Sequence, residues 1–210
     1  RTVGASHGSH FGARLSDTAQ LEERAVELVR RAQAGEAAAR EELLTCCHSV
    51  IRRWARVLTD DADEADDVAQ EVLIRVALRL DRYAGRSRFT TWLYQVTRNT
   101  AFGLRRRVAR RLRLIGGTTE RMQEDHGPDP SVQAEASELR RVVDELFREL
   151  PVRQREVFYL VDIEGHDAVD IAPRLGLRPV TVRAHLFRAR RALRGKILER
   201  HPEIAEEYRP

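Results

Sequence analysis

The sequence predicts an all-α protein of two small helical domains joined by a flexible linker. Apolar residues recur at steps of three and four along most of the 210 residues, the period of helices with one buried face. No convincing alternating strand or Asn-Gly hairpin appears. Glycine and proline at 116–117 and 127–130 bracket a polar stretch with almost no periodicity, which separates two groups of helices.

The first domain is predicted at residues 25–108. Its clearest helix follows a run of acids and has one apolar face: Val68, Val72, Leu73, Val76, Ala77 and Leu80. A later helix is predicted from a second stripe: Trp92, Leu93, Val96 and Thr100. Residues 1–24 open on a stretch rich in glycine, serine and histidine, and we expect them to be a disordered tail.

The linker is predicted at 109–135, because so long a loop inside one compact domain would be unusual. A smaller second domain follows at 136–199, with a tail at 200–210. Its first helix has the apolar face Val142, Val143, Leu146, Phe147 and Leu150. A short helix comes next, with Ala168, Ile171, Ala172 and Leu175 inward. Gly176 then makes a turn, and Pro179 opens a longer helix that turns Val182, Leu186, Ala189 and Leu193 inward.

Charge is segregated along the chain. There are 37 basic residues, all arginine except Lys196, and 33 acids, for a net charge of +4. The segment Thr59 to Glu71 contains seven acids and no base, whereas Arg98 to Arg113 contains seven arginines and Arg174 to Lys196 eight basic residues, both without an acid. The small net charge therefore predicts one acidic and two basic surfaces.

Composition also excludes several classes of protein. No apolar run is long enough to span a membrane and no signal-peptide core is visible, so we expect a cytoplasmic protein without membrane insertion. Two adjacent cysteines, Cys46 and Cys47, provide neither a disulfide framework nor zinc-site spacing. We read them as buried small hydrophobic residues, with a redox sensor as the alternative. No metal or cofactor is expected.

The second domain has the pattern of a DNA-binding helix-turn-helix, whose second helix enters the major groove. The outward positions of that helix are basic or polar and include no carboxylate: Arg178, Thr181, Arg183, His185, Arg188, Arg190, Arg191 and Arg194. A solvated helix normally interleaves acids with its bases, so this face indicates an anionic partner, nucleic acid first. A basic face kept only for solubility is the alternative.

Arginines alternate with aromatic residues in the segment 82–94 of the first domain. Aromatic faces receive unstacked bases and arginines hold phosphates, so the segment suits single-stranded nucleic acid. We expect Phe89 and Trp92 to pack inside, and Tyr83 and the loop arginines to face DNA. Arg98 and Asn99 belong to the residue types that most often read base edges. The acidic segment before them favours docking to a basic protein surface.

Five motifs in this order resemble the extracytoplasmic-function sigma factors of bacterial RNA polymerase, within the sigma-70 family. They are Asp66–Val72, Arg88–Tyr94, Arg98–Thr100, Leu150–Val157 and Arg188–Leu193. The resemblance implies binding to core RNA polymerase through Asp66, Asp67, Gln70 and Glu71. It implies capture of the melted minus-ten element by Tyr83, Arg86, Arg88, Arg98, Asn99, Arg105 and Arg106. It implies reading of the minus-thirty-five duplex by Arg178, Thr181, Arg183, His185, Arg188 and Arg191.

The resemblance thus implies an alternative sigma factor, monomeric when free, that has no enzymatic activity and can have an anti-sigma partner. An ordinary helix-turn-helix regulator is the alternative, but it would need a sensing pocket or a dimerisation seam, and neither is evident. A nucleic-acid enzyme would need a general base or a ligand set beside the acidic cluster, and none is apparent. Val180 and His185 depart from common family residues, so the promoter sequence is left open.

Overall fold

The computed structural model describes residues 9–115 and 142–202, with side chains described for 17–111 and 142–202. Within these ranges the regular structure is helical and contains no strand. The chain divides into two compact units, Arg1–Gln123 and Glu124–Pro210. The predicted fold class, two small helical domains, is therefore confirmed.

The described residues of unit 1, 9–115, form four helices and a short 3-10 turn. They are α1 Ser9–Gln33, α2 Ala37–Leu58, α3 Ala62–Arg79, the turn Leu80–Arg82 and α4 Phe89–Ile115. The acidic segment begins α3: the Asp61 side chain caps the helix by accepting from the backbone N–H of Glu64 at 2.7 Å. The core is centred on Trp54, which is 1% exposed and meets Tyr94 edge to face at 5.2 Å.

Two predicted boundaries in unit 1 need correction. Residues 1–24 were expected to be disordered, but α1 begins at Ser9 and buries Leu21 in the core. Leu21 starts an apolar stripe with Ala25, Leu28 and Ala32 that extends into the expected tail. The expected linker began at residue 109, but α4 continues to Ile115, because arginine favours helix and no glycine or proline lies between residue 103 and Gly116. Residues 1–8 and the rest of the expected linker lie outside the described range.

Unit 2 is built around a helix-turn-helix. Its helices are α5 at residues 142–148, α6 Val152–Phe158 continuing as a π-helical turn Tyr159–Ile163, α7 Ala168–Leu175 and α8 Pro179–Arg200. Gly176 ends α7 in the left-handed conformation at φ 66°, and Asp167 caps its start through the backbone N–H of Val169. The predicted short helix, glycine turn and longer helix are confirmed.

The core of unit 2 joins α5 to α8. Its buried members are Val142, Leu146, Leu150, Ala189 and Leu193, with Phe147, Phe158, Ala192 and Ile197 packed against them. Two charged residues, Arg155 and Glu156, are also fully buried. A guanidinium nitrogen of Arg155 donates to the backbone carbonyl of Arg148 at 2.9 Å, and the Glu156 carboxylate accepts from Arg153 at 2.9 Å. These bonds satisfy polar groups that would otherwise destabilise the unit.

Candidate nucleic-acid and polymerase interfaces

The outer face of α8 presents a group of arginines without compensating charge. Arg178, Arg183, Arg188, Arg191 and Arg194 are all exposed. Within the described part of the chain, none of the five forms an ion pair. Arg178 lies at the start of the helix, the end from which recognition helices contact bases. The face can therefore attract phosphate without first breaking an internal contact.

Arg190 differs from the other arginines of α8. Its guanidinium makes two bonds to the Asp162 carboxylate, at 2.5 and 2.9 Å, which connect α8 to the π-helical turn. This ion pair holds the pKa of Arg190 above its usual value. The charge of Arg190 is thus already compensated, although the sequence grouped it with the free arginines.

Thr181 and His185 lie deeper on α8 and are only half exposed. The Nδ1 atom of His185 is buried and has no hydrogen-bond partner among the described residues. Burial, and then the charges of Arg188 and Arg153, lower the pKa of His185. Both effects favour the neutral form of the His185 ring in the free chain.

In unit 1, three aromatic rings pack together at the loop between the 3-10 turn and α4. The Tyr83 ring lies 5.6 Å from Phe89 and 5.3 Å from Trp92, and Phe89 and Trp92 are 5.6 Å apart. The Tyr83 hydroxyl donates to the backbone carbonyl of Ser87 at 2.6 Å. Phe89 is buried as predicted, but Tyr83 is half-buried and stabilises the loop instead of standing free of it.

The polar residues predicted to contact DNA around this loop differ in their exposure. Arg86, Arg88 and Asn99 are exposed and stand on the loop or on the outer face of α4. The Arg98 guanidinium lies 5.0 Å from the centroid of the Phe102 ring, a cation–π contact that holds the half-buried side chain along the helix. Asn99 is thus the residue of this pair that presents its polar end outward.

Arg105 and Arg106 are neighbours with different environments. Arg105 donates to Asp60 at 2.5 Å and approaches Glu64 at 4.0 Å, so it bridges α4 to the acidic segment at the start of α3. Arg106 is exposed and has no ion pair within the described residues. The structure therefore leaves only Arg106 of this predicted pair with an uncompensated charge.

The acidic residues predicted to bind polymerase lie along α3. Asp66 accepts from Arg52 at 2.7 and 3.3 Å, and this contact lowers the pKa of Asp66. Glu71 accepts from Arg75 at 2.7 Å. Asp67 and Gln70 are exposed. The face is thus less acidic than the sequence indicated, because arginines of unit 1 compensate part of its charge.

Two apolar residues extend this face of α3 and were missed in the sequence. Ile74 is 56% exposed and Leu78 is 75% exposed, and with Gln70 they are spaced four residues apart. This spacing places the three side chains in one row on the helix surface. The sequence did contain a signal for them, because Ile74 and Leu78 are apolar but lie outside the buried stripe of α3. Ile74 and Leu78 therefore add an apolar part to the face that the sequence predicts to bind polymerase.

Metal binding, membrane insertion and cysteine chemistry are three further functions to consider for the described residues. No group of three or more histidines, cysteines or acids is placed to hold a metal ion within the described ranges. None of the described helices is both long and apolar enough to cross a membrane. Burial raises the pKa of Cys47 to about 12, so its thiol stays protonated and weakly reactive at neutral pH.

Comparisons with known proteins define the class. The family model for sigma-70 region 2 matches residues 43–111, and the model for sigma-70 region 4 matches residues 140–193. The RNA polymerase sigma-H factor of Pseudomonas aeruginosa is 33% identical over 80% of this chain and 90% of its own length. The ECF RNA polymerase sigma factor SigD of Mycobacterium tuberculosis is 31% identical over 84% of this chain and 85% of its own length. The chain therefore belongs to the extracytoplasmic-function group of the sigma-70 family and is an alternative sigma factor.

Further matches extend the comparison. The probable RNA polymerase sigma factor RfaY of Xanthomonas campestris is 32% identical over 85% of this chain, but the match spans only 45% of that protein. Among solved structures, the sigma factor RpoE of Bartonella quintana in complex with the anti-sigma factor NepR aligns with a TM-score of 0.62 at 21% identity, covering 77% of this chain and 97% of that one. CnrH in complex with the cytosolic domain of CnrY aligns with a TM-score of 0.57 at 22% identity, covering 85% of this chain and 99% of that one. At such identities these structures support the fold.

Proposed function

We propose that this sigma factor binds core RNA polymerase and directs initiation by reading two promoter elements, one as duplex and one as melted single strand. The observation that carries the proposal is the position of the uncompensated arginines. They lie on α8, within the region-4 match, and on the loop and outer face of α4, within the region-2 match. Each group therefore coincides with one of the two predicted DNA-contacting regions.

In this proposal α8 enters the major groove of the minus-thirty-five element. Arg178, Arg183, Arg188 and Arg191 supply phosphate contacts or bidentate contacts to guanine. Thr181 and His185, which are half-buried, contribute closer contacts in the first two turns of the helix. The exposed Val180 in the first turn leaves an apolar group there, which suits a thymine methyl.

The minus-ten element is captured by unit 1. Arg86, Arg88 and Arg106 hold the backbone of the unpaired strand, and Asn99 reads a base edge. Arg98, which lies along the same helix against Phe102, adds positive charge beside Asn99. Tyr83 stabilises the loop through its bond to Ser87, and Arg105 connects α4 to Asp60. Both residues therefore keep the site in shape and do not themselves hold the DNA strand.

Core polymerase docks on α3. Asp67 and Gln70 provide the polar contacts and Ile74 and Leu78 the apolar ones, while Asp66 and Glu71 are held in place by arginines of unit 1. We further propose that the protein acts without enzymatic activity, in the cytoplasm, and as a monomer when free. An anti-sigma factor is a candidate partner, since the Bartonella quintana sigma factor was solved with one.

Replacing Asn99 with alanine should relax the choice of base at one position of the minus-ten element. The loss of a bidentate base contact is worth about 1–3 kcal/mol of discrimination, which corresponds to about a 5- to 150-fold change in preference. The measurement is abortive initiation by core polymerase loaded with the variant, on promoters that carry each of the four bases at every minus-ten position.

Arg106→Ala is the matched control on the same helix. Because Arg106 is assigned to phosphate, its loss should weaken all the promoters about equally and leave the base preference unchanged. Core binding should be retained by both variants. The assignment of Asn99 is wrong if N99A and R106A give the same pattern across the promoter set.

A further inference from the structure

The loop that carries the minus-ten arginines is held internally by the bond from the Tyr83 hydroxyl to the Ser87 carbonyl, but its two ends depend on another helix. It spans residues 83–88 and includes Gly85 in the left-handed conformation at φ 67°. Its first residue, Tyr83, donates its backbone N–H to the Leu80 carbonyl at 3.0 Å. At its other end α4 begins with backbone N–H groups that no preceding turn of helix can satisfy. Arg88, which precedes the helix, has no acceptor side chain to cap them.

The missing cap comes from α1, far away in sequence. One carboxylate oxygen of Glu22 accepts from the backbone N–H of Phe89 at 3.1 Å. The other accepts from the backbone N–H of Thr90 at 2.8 Å and from its hydroxyl at 2.7 Å. A carboxylate that receives three donors at a helix N-terminus is a strong, charge-assisted cap.

The opposite end of the same loop is also held by α1. The side-chain amide of Gln33 donates to the carbonyl of Leu80 at 2.9 Å and to the carbonyl of Tyr83 at 2.8 Å. Glu22 and Gln33 are separated by about three helical turns, or roughly 16 Å along the axis, and so lie on one face of α1. A single helix therefore fixes the distance between the two ends of the loop.

We propose that Glu22 and Gln33 are positioning residues for promoter melting, through which α1 holds loop 83–88 in the shape that captures the unpaired minus-ten strand. The inference rests on the proposed function. Neither residue needs to touch DNA, since Arg86 and Arg88 lie within the loop and Asn99 lies on the helix that Glu22 caps. Loss of the cap lets the loop move, so part of the binding energy is spent on ordering it.

The buried side of α1 makes this arrangement rigid. Leu21, Ala25, Leu28, Val29 and Ala32 are all buried. Because this apolar face anchors α1 in unit 1, its polar residues have fixed positions relative to the rest of the unit. Glu22 also raises the pKa of Tyr83, after the larger effect of burial, consistent with its place beside the aromatic cluster.

The test uses Glu22→Gln in the full chain with core polymerase. The promoter is one that the wild-type chain selects from a genomic library. We expect the permanganate reactivity of minus-ten thymines to fall by about tenfold or more, because a neutral amide loses the charge-assisted bonds. Affinity for core should be unchanged. On a template with a preformed bubble across the minus-ten element, initiation should return to near the wild-type level, a rescue that a general folding defect would not show.

Two further variants keep the outcomes separate. Glu27→Gln is the matched control, because Glu27 lies on the same helix and bonds to Arg30 on the surface. It should behave as wild type. Gln33→Ala removes two neutral bonds at the other end of the loop and should reduce melting by about threefold, with the same rescue by the bubble. If E22Q does not fold, the Gln33→Ala variant tests the proposal in its place.

The inference is overturned if E22Q melts the promoter as well as E27Q does, or if the preformed bubble fails to rescue it. If E22Q does not fold, wild-type melting by Q33A overturns it. Failure of the proposed function would look different, because the wild-type chain itself would then give no specific initiation with core.

Discussion

Raising the salt concentration from ~50 to ~200 mM should weaken binding of the chain to duplex promoter DNA by about 500-fold, if the five exposed arginines of α8 each neutralise one phosphate. Each neutralised phosphate adds about 0.9 to the slope of log affinity against log salt. Arg178, Arg183, Arg188, Arg191 and Arg194 are exposed and lack ion pairs within the described residues. They can therefore neutralise phosphates and release the cations condensed on the DNA. Fluorescence anisotropy of a labelled duplex measures the slope.

Two variants of α8 test the assignment of charge. Arg183→Gln should reduce the slope by about 1, as expected for one lost phosphate contact. Arg190→Gln should leave the slope unchanged, because Asp162 already compensates Arg190. A slope that falls by about 1 in both variants would show that the ion pair of Arg190 opens on DNA and that the division between free and compensated arginines is wrong.

Replacing Arg155 with alanine should lower the free energy of unfolding of unit 2 by about 3 kcal/mol or more. The side chain is fully buried, and its bond to the Arg148 carbonyl links α6 to the end of α5. Truncation leaves a cavity and an unsatisfied carbonyl. Because a domain of this size has about 5–15 kcal/mol in total, the change removes a large share of its stability.

The two tryptophans make the effect measurable in the full chain. Trp54 and Trp92 both lie in unit 1, so tryptophan fluorescence follows that unit, whereas circular dichroism follows the helices of both. In the Arg155→Ala variant the dichroism should show an early transition, at least about 12 °C lower, with the fluorescence transition unchanged. Arg183→Ala, at an exposed position of the same unit, should match wild type. Coincident dichroism curves for the two variants would contradict the role given to Arg155.

The helices and the helix-turn-helix could be predicted from the sequence, because they depend on local periodicity and on residues that end or begin helices, such as Gly176 and Pro179. The sequence could not separate Arg105 from Arg106 or Arg190 from Arg191. The acids that compensate Arg105 and Arg190 are Asp60 and Asp162, which lie 45 and 28 residues away in the chain. Such pairs are decided by the tertiary structure.

The same limit explains the residues that were missed. Glu22 lies in the expected tail, and its partners in α4 are 67 and 68 residues further on. Arg155 and Glu156 are charged types that are almost never fully buried unless paired, so composition favoured an exposed position. Tyr83 stays a predicted minus-ten residue, but its packing on Phe89 and Trp92 depends on the turn that precedes it and could not be predicted from the sequence.

The central claim is that the chain gives core RNA polymerase a promoter choice based on two separate DNA elements. The most direct measurement is transcription in vitro by purified core on a genomic fragment library, with and without the chain, followed by sequencing of the RNA 5′ ends. We expect new start sites that appear only with the chain and share one upstream duplex element and one melted element nearer the start. Start sites unchanged by the chain, or a chain that does not bind core, would contradict the account.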